Sequence, residues 1–571
     1  MSRAFAGLAV TFLLGSAAAQ TGEVRVPDIA STPLPRSIDV GGTTYVDHGL
    51  VAAGSLPAGT VDFLGDTLGS FSSLMVQPGS WKREGDTYTG VLWTLPDRGR
   101  NDPEHDVFFD YRGRLHRFRI SVVVSRAPIA AEAAPTRANS AAPAPMDTAA
   151  TGNVAAGPAV AGTIAAGVAA TGTTAARGAV ARGAVAGGNG RAVVGAASAA
   201  MLTLTPDGGR ELRDFDGKPF TGAEPRDGLR TERGIVLPSP AKGVGAGKIS
   251  LDAESLQFTK DGGFYIGDEY AANVYRFDAK GRLTGVIVPP RAVQPLNADG
   301  KPDFTSLRAP ATGRRNNQGV EGMALSPDGK RLFVALQSAL VQDSMPGDAA
   351  GRTLTRVLVY DVSRTAVPRQ PIGHYVVRLP AYDDKGDGGK PNKTAAQSEI
   401  RVIDDHRFLM LARDGSGYGA KVGKPIVFKS VLLVDIAGAT NLAGTAYETS
   451  TTPVLGQDGD LRTDIRLATW KPLVNLLDPA DLSRFGLSIE RDRPGTAMLS
   501  EKWEAMDIVP ALDPAHPDDV FLLVGNDNDF IAKHCVMDGQ RCDSDIDNDN
   551  RILVYRLTLP GMRSTAASNH H

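Results

Sequence analysis

GVEGMALSPDGKRLFVALQ, residues 319–337, decides the fold because it contains a complete β-hairpin. Two short apolar runs flank the turn Ser326-Pro327-Asp328-Gly329, in which Pro presets φ and Gly supplies the positive φ that closes a tight turn. The pattern therefore predicts a strand, a turn and a second strand. Glu321 is unexpected in this setting, because it places a carboxylate at the start of a strand that the apolar pattern predicts to be buried.

The same pattern recurs along the chain. A polar residue opens a short apolar strand, a turn follows, and a second strand rich in Phe, Leu and Val ends in a polar cluster; a third strand comes after the cluster. The other copies are LDAESLQFTKDGGFYIGDEY (251–270), QSEIRVIDDHRFLMLARDGSG (397–417), KWEAMDIVPALDPAHPDDVFLLVGNDNDF (502–530) and a degenerate copy with Ser72 in place of the acid, LGSFSSLMVQPGSWKREGDTYTGVLWTLPDRGRND (68–102).

These repeats indicate the fold class. Repeats of about 40 to 50 residues built from short strands are typical of a β-propeller, whose blades surround a central channel. A helical solenoid fits poorly, because the apolar period inside each copy is two. We predict an all-β protein, a β-propeller of five or six blades, with Thr60–Gly65 completing the last blade. The propeller is expected over 61–125 and 201–562, after a lead-in over 20–60 and before a C-terminal tail over 563–571.

The segment from 126 to 200 has a different composition, dominated by Ala, Gly, Thr and Pro. It has almost no large apolar side chains, so it cannot bury enough surface to offset the entropy lost on ordering. We expect a disordered, low-complexity insertion that loops out of one domain.

The N-terminus MSRAFAGLAVTFLLGSAAAQ predicts export. Arg3 precedes an apolar run from Ala4 to Leu14, and small residues then form an A-x-A arrangement that ends at Ala19. This is the pattern of a signal peptide over 1–19, and its apolar run is too short to span a membrane. We expect a secreted or periplasmic protein.

Charge and cysteine content exclude several kinds of partner and site. The chain has 571 residues, a formal net charge of -3 and no long run of Lys or Arg, so neither a nucleic-acid surface nor a membrane patch is expected. In an exported protein, Cys535 and Cys542 predict one disulfide. The acidic stretch 543–551 after them matches a calcium loop only in part, and a solvated acidic loop explains it equally well.

The opening acids of the repeats are the first candidate site. In a propeller the first strand of each blade lines the channel, so equivalent acids converge on its axis. Two unit charges about 6 Å apart repel by roughly 3 kcal/mol at an effective dielectric of about 20, so a ring of acids needs raised pKa values, arginine partners or a cation. We predict Ca²⁺, which prefers oxygen ligands; arginines, backbone N–H groups and water are the alternative. The predicted metal ligands are Glu254, Glu321, Glu399 and Glu504.

The polar clusters after the second strands are expected to surround the same channel. In a hydrolase, Arg98 and Arg413 would hold an anionic substrate, and Asp268 or Glu269 would position the attacking water. A serine hydrolase of the α/β type is disfavoured, because the sequence has no G-x-S-x-G motif. The further substrate-binding candidates are Asp97, Tyr270, Gln337, Asp527 and Asn528.

Several short motifs occur in one order along the chain. They are Gly69-x-x-Ser72-x-Leu74, Asp97-Arg98-Gly99, Glu254 with Gly267-Asp268-Glu269, Glu321-Gly322-Met323 with Leu336-Gln337-Ser338, Ser398-Glu399-Ile400, and Glu504 with Gly525-Asn526-Asp527-Asn528. Together they resemble the bacterial phytase-like family, described as having esterase-like activity of phytase. The resemblance covers most of the chain outside the signal peptide and the insertion. It implies an exported β-propeller-like domain associated with hydrolysis of esters, including phosphate esters.

Two classes of function fit these observations. One is a calcium-assisted hydrolase of phosphoric or carboxylic esters, with a small-molecule substrate in the channel; a calcium-dependent lactonase is a variant of it. The other is a non-catalytic propeller that binds a ligand or a partner on its channel face, since propellers host both enzymes and binding modules.

Overall fold

The computed structural model of the protein describes residues 22–29, 31–124, 201–345, 350–420, 423–490 and 497–562. The predicted signal peptide, the Ala/Gly-rich insertion and the C-terminal tail lie outside the described residues and stay predictions.

Strands dominate the described residues, and we number them in chain order. The strands before residue 300 are β1 (Glu23–Val24), β2 (Arg36–Val40), β3 (Thr43–Leu56), β4 (Ser73–Val76), β5 (Lys82–Glu84), β6 (Thr87–Leu95), β7 (Asn101–Asp102), β8 (Val107–Phe108), β9 (Arg114–Val123), β10 (Leu202–Glu211), β11 (Leu229–Glu232), β12 (Ile235–Pro238), β13 (Ala253–Phe258), β14 (Phe264–Asp268), β15 (Val274–Phe277) and β16 (Leu283–Ile287).

The second half of the chain continues the series. Its strands are β17 (Val320–Leu325), β18 (Arg331–Leu336), β19 (Leu354–Asp361), β20 (Gly373–Arg378), β21 (Ala381–Tyr382), β22 (Lys393–Thr394), β23 (Ala396–Val402), β24 (Arg407–Arg413), β25 (Lys429–Asp435), β26 (Thr469–Asn475), β27 (Lys502–Pro510), β28 (Asp519–Asp527), β29 (Val536–Met537), β30 (Gln540–Arg541) and β31 (Asn550–Thr558). The short helices are α1 (Ala446–Thr449), α2 (Pro479–Ser483) and the 3₁₀ turns Pro103–His105, Val341–Asp343 and Ala350–Arg352. The all-β prediction is confirmed. Within the described ranges, no helix has the length and apolar character needed to cross a membrane.

Most strands belong to five antiparallel sheets, which we name A to E. Sheet A contains β4, β6, β9 and β10 in that order, with β5 beside β6. Sheets B, C and D are the four-stranded meanders β13–β16, β17–β20 and β23–β26. Sheet E has the order β27, β28, β31, β3, β2. The first strands of the sheets, β4, β13, β17, β23 and β27, contact one another in a closed cycle.

Apolar side chains fill the space between each pair of neighbouring sheets. Each of the five clusters draws buried residues from two sheets, so every sheet is covered on both faces and its apolar strands are removed from water. Representative members are Leu95 and Leu256 between sheets A and B, Val274 and Met323 between B and C, Ala335 and Met410 between C and D, Leu411 and Leu522 between D and E, and Leu523 and Leu74 between E and A.

Sheet E is completed from the N-terminal part of the chain. Strand β3 pairs antiparallel with β31. The prediction that Thr60–Gly65 completes the last blade is therefore wrong, because residues 43–56, within the predicted lead-in, supply this pairing. The Asp62 carboxylate accepts the backbone N–H groups of Leu64 (2.8 Å) and Asp66 (3.1 Å), which bends 60–65 into a turn.

The predicted disulfide between Cys535 and Cys542 is confirmed. The acidic stretch after it caps backbone groups: Asp543 accepts the N–H of Cys535 at 3.0 Å, and Asp547 accepts that of Lys533 at 2.8 Å. These carboxylates are engaged with the backbone rather than directed at one point.

Asp47 in β3 is a buried acid, and its substitution tests the packing of sheet E. Its side chain is fully buried, accepts the N–H of Gly49 at 2.8 Å and has Arg36 at 3.4 Å. Burial raises the pKa of Asp47 to about 7, against the lowering effects of these two partners. The unfolded chain therefore releases this proton at lower pH than the folded chain, and the stability linked to Asp47 is lost as the pH rises from about 4 through 7.

We expect Asp47→Asn to stabilise the protein more at pH 8 than at pH 5, by on the order of 2 kcal/mol. Urea unfolding at the two pH values measures this difference. Asp299→Asn replaces an exposed acid and serves as the matched control. An equal gain for Asp47→Asn at both pH values would contradict the assignment.

Candidate functional site

Three of the predicted acids lie on β-bulges at the starts of first strands. In sheets B, C and E the pairing register skips Glu254, Glu321 and Glu504. A bulge leaves one residue unpaired and redirects its side chain, so the three bulged acids can turn toward a common point. One carboxylate oxygen from each acid lies within 4.8 Å of the other two. The convergence predicted for these three acids is present in the structure.

Glu399 does not share this position. In sheet D the bulged residue is Ser398, so Glu399 lies one register position further along. Its carboxylate accepts hydrogen bonds from Ser73 Oγ (2.6 Å) and from the Met323 N–H (3.1 Å), and Arg401 is 3.0 Å away. The prediction that Glu399 is equivalent to the other three acids is wrong, because a shift of one residue redirects the side chain.

The bulged acids open onto a cavity of about 360 Å³. Its lining is almost entirely polar, with seven acids, three bases and five amides. The acids are Asp97, Asp252, Glu254, Glu269, Glu321, Glu504 and Asp529, the bases are Arg98, Arg413 and Lys502, and the amides are Asn101, Asn316, Asn317, Gln318 and Gln337. If all of these groups were ionised, four negative charges would remain uncompensated.

Each of the three bases forms an ion pair with an acid of the cavity. The pairs are Arg98 with Asp252 (3.2 Å), Lys502 with Asp529 (2.7 Å) and Arg413 with Glu504. Burial alone would lower the pKa of Arg98, but Asp252, Tyr270 and Asp97 together outweigh burial and raise it. Burial also acts to lower the pKa of Arg413, but Glu504, Glu321 and Glu501 together outweigh it and raise the pKa. Both guanidinium groups therefore stay charged.

Glu254 and Glu321 lack such compensation. Glu254 is 8% exposed and has no hydrogen bond or ion pair with any residue in the described part of the chain. Burial, followed by the neighbouring Glu321 carboxylate, raises the pKa of Glu254 well above its usual value. Glu321 accepts one hydrogen bond, from Gln337 Nε2 at 2.8 Å, while its other oxygen is buried without a partner. Such oxygens are costly to bury and are available to a cation.

Of the two acids predicted to position water, only Glu269 lines the cavity. Its Oε1 atom is buried without a hydrogen-bond partner, and burial together with Asp252 raises its pKa to about 8. Asp268 instead accepts the N–H groups of Asp252 (3.1 Å) and Ala271 (2.7 Å), so it stabilises the loop that carries Glu269.

Three predicted substrate-binding residues do not line the cavity; Tyr270 and Asp527 contact residues that do, and Asn528 contacts Ser70 outside the lining. The Tyr270 ring lies 5.7 Å from the Arg98 guanidinium, and its hydroxyl donates to the Gly222 carbonyl at 3.0 Å. Asn528 accepts the N–H of Ser70 at 2.8 Å. Asp527 lies 3.3 Å from Lys502 Nζ. The other two predicted residues, Asp97 and Gln337, are part of the lining.

Several lining residues were not predicted from the sequence. Asp252 and Lys502 each lie two residues before a bulged acid, and this repeated spacing could have identified them. The turn 316–318 lies outside the repeat copies, so the comparison of repeats could not reveal it. Asn317 in this turn adopts a left-handed backbone conformation, with φ of 50°, and its buried Oδ1 has no hydrogen-bond partner.

Arg401, which is 5% exposed, connects first strands of neighbouring sheets to one another. From β23 it donates hydrogen bonds to the Met323 carbonyl in β17 (3.1 Å), the Leu74 carbonyl in β4 (3.0 Å) and the Asp507 carboxylate in β27 (3.2 Å). One buried side chain therefore links the first strands of four sheets.

The described chain is an all-β protein with an acidic cavity at the first strands of its sheets. It belongs to the phytase-like family, whose model, described as esterase-like activity of phytase, matches residues 85–530. An uncharacterized secreted protein of Arthroderma benhamiae is 29% identical over 530 residues, which cover 88% of this chain and 91% of that protein. The crystal structure of an ancestral GH74 enzyme matches with 12% identity and a TM-score of 0.23, over 57% of this chain and 33% of that chain.

Proposed function

We propose that the protein is an exported hydrolase of phosphate or other esters that works with Ca²⁺ in the acidic cavity. The observation that carries this proposal is the convergence of Glu254, Glu321 and Glu504, whose oxygens lie within 4.8 Å of one another. The family description supports ester hydrolysis.

The residues present fit a calcium ion. The Glu254 carboxylate and Glu321 Oε2 have no partner among the described residues, and a cation offsets the cost of burying them. The donor atoms of the triad are all oxygen, which suits Ca²⁺ better than a softer metal. When bound, Ca²⁺ supplies positive charge that neutralises the carboxylates and polarises an ester oxygen.

The bases of the cavity are suited to hold an anionic ester group. Arg98 is oriented by Ser306 Oγ, to which it donates at 2.9 Å, and by the Tyr270 ring. Arg413 is oriented by Glu504, and its Nε is buried without a hydrogen-bond partner. A guanidinium presents a planar fork of N–H groups that matches two phosphate oxygens.

Glu269 is the residue that we assign to proton transfer. A general base works best when its pKa is near the working pH, and burial together with Asp252 raises the pKa of Glu269 to about 8. Its unpartnered Oε1 can accept a proton from the attacking water.

We further propose that sheets A to E are the five blades of a β-propeller. The meander order of each sheet, the cycle of contacts among first strands and the apolar clusters between neighbouring sheets support this arrangement. Pairing of β3 with β31 joins the two ends of the chain in one sheet, as ring closure requires. A crystal structure with a sixth blade would contradict the count.

Export is proposed from the N-terminal pattern and from the relative in Arthroderma benhamiae, which is named a secreted protein. N-terminal sequencing of the protein recovered outside the cytoplasm tests it. We expect a new terminus at Gln20, and an intact Met1 would contradict export through this segment.

The activity is tested with purified protein, in calcium and in a calcium chelator. Phytate, a chromogenic phosphate monoester, a carboxyl ester and a lactone are supplied in parallel, so that the substrate class is measured together with the metal dependence. We expect release of phosphate that requires calcium. The Glu84→Gln variant, which replaces an exposed acid of β5, should behave as the wild type does.

A non-catalytic binding function is the second candidate. The five amide side chains of the cavity, including the unpartnered Asn317 Oδ1, are suited to bind a hydroxyl-rich ligand or a peptide. Calorimetric binding of a carbohydrate or peptide without turnover of any ester would favour this function over hydrolysis.

A further inference from the structure

A second group of acids adjoins the triad of Glu254, Glu321 and Glu504. Oxygens of Asp97, Asp252 and Glu254 also lie within 4.8 Å of one another. Glu254 belongs to both groups, and all five acids are buried. The two groups therefore form one continuous set of carboxylates with Glu254 at its centre.

The side chains of this second group have carboxylate oxygens that are available to bind a cation. Glu254 has no partner in the described part of the chain, as noted above. Neither carboxylate oxygen of Asp252 accepts a hydrogen bond, although the residue is only 1% exposed; Arg98 faces one of them at 3.2 Å. Asp97 accepts the N–H of Gly99 with Oδ1 at 2.9 Å, so Oδ2 is the oxygen that it can offer. Buried carboxylates that lie this close to one another, and that retain oxygens without a hydrogen-bond donor, are suited to bind a cation.

We propose that the cavity binds two divalent cations bridged by Glu254. Glu321 and Glu504 complete the first site, and Asp97 and Asp252 complete the second. This inference rests on the proposed function, since it keeps the calcium site described there and adds a neighbour to it.

The charge balance of the cavity agrees with two cations. If all seven lining acids are ionised, they leave four negative charges against the three bases, and two divalent cations would balance these four charges. A single divalent cation would leave two negative charges uncompensated in a buried space, where like charges repel strongly.

A third cation is not required. The structure also brings together Asp97, Asp527 and Asp529. Lys502 already lies 2.7 Å from Asp529 and 3.3 Å from Asp527, so two acids of this group are paired with a base, whereas only one acid is paired in each of the other two groups. Lys502 therefore takes the place that a third ion would occupy.

Two adjacent cations make phosphate esters the preferred substrate class. Paired metal ions about 4 Å apart stabilise both the attacking and the leaving oxygen in displacement at phosphorus. Arg98, beside the second site, and Arg413, beside the first, would hold the remaining oxygens of the phosphoryl group.

Ion counting on the full mature chain tests the inference without any substrate. Equilibrium dialysis measures bound Ca²⁺, and electron paramagnetic resonance of the protein loaded with Mn²⁺ reports whether two ions are adjacent, because neighbouring Mn²⁺ ions give a coupled spectrum. We expect two ions and a coupled spectrum for the wild type. Asp252→Asn and Glu321→Gln should each retain one ion with an uncoupled spectrum, and Glu254→Gln should retain none.

Control variants and folding checks accompany these measurements. Asp299→Asn and Glu84→Gln make the same chemical changes at exposed positions and should bind two ions. Circular dichroism in chelator shows whether each variant is folded. If Asp252→Asn fails to fold, Asp97→Asn removes another ligand of the second site and is expected to give the same one-ion result.

The outcomes separate this inference from the proposed function. One ion in the wild type, lost in Glu321→Gln but kept in Asp252→Asn, would overturn the second site and leave the first. Two ions without a coupled spectrum would also overturn the bridged pair. No bound ion in the wild type would overturn both the pair and the calcium site of the proposed function.

Discussion

Glu254→Gln is expected to lower calcium-dependent ester hydrolysis at least about a hundred-fold while leaving the protein folded. The reason for the loss is that Glu254 is the one carboxylate shared by both acid groups of the cavity. Gln keeps the shape of the side chain but offers a neutral amide, which is a poor ligand for a divalent cation that depends on charged oxygen donors.

The same variant should be more stable than the wild type in calcium chelator at pH 8. Burial and the Glu321 carboxylate raise the pKa of Glu254 above its usual value of 4.5, so the wild type loses stability as the pH rises above that value. Gln does not titrate and avoids this loss. Added calcium should then raise the melting temperature of the wild type and leave that of the variant nearly unchanged, because a ligand stabilises only the protein that binds it.

Thermal melts with and without calcium, together with initial rates of phosphate release, measure both effects. Glu84→Gln is the matched control, since it makes the same change at an exposed position and should retain both activity and the calcium response. Full activity in Glu254→Gln, or an equal calcium response in both proteins, would show that Glu254 is not a metal ligand.

Arg401→Met is expected to destabilise the protein by about 3 to 5 kcal/mol. Arg401 is 5% exposed and forms hydrogen bonds with three neighbouring strands, β4, β17 and β27. It also forms ion pairs with two acids, Asp507 (3.2 Å) and Glu399 (3.0 Å). Met fills a similar volume, but it leaves two buried carboxylates without their cation and removes the Arg401 donor from three buried carbonyl groups.

Urea unfolding of Arg401→Met and of a surface control measures this cost. Arg331→Met removes an arginine that pairs with the more exposed Asp405 and should cost less than about 1 kcal/mol. A loss below about 1 kcal/mol for Arg401→Met as well would mean that the first strands are held together by apolar packing alone.

The two hairpin strands of residues 319–337 illustrate what could be predicted from sequence. The apolar period of two and the turn 326–329 depend only on residues that are close together in the sequence. The structure places β17 before that turn and β18 after it. The repeat also predicted that Glu254, Glu321 and Glu504 converge, because each acid has the same spacing from its own strand and therefore reaches the same bulge.

In sheet D, the sequence pattern does not predict which residue occupies the bulge. Ser398 and Glu399 are adjacent, and either could have occupied the bulge. The pairing of β23 with β24 places Ser398 there and directs Glu399 to Ser73 and Arg401. Register is a property of two strands paired with each other, so the spacing within one strand cannot determine it.

The sequence by itself determined the properties that arise from short-range chemistry: the strands, the tight turns, the all-β class, the disulfide and the motifs that identify the family. The tertiary structure alone decided which polar groups meet. Asp252, Lys502 and the turn 316–318 reach the cavity with Glu269, while Asp268 turns to backbone N–H groups. The direction of a side chain depends on bulges, pairing register and sheet closure, and these are set by contacts between residues far apart in the chain.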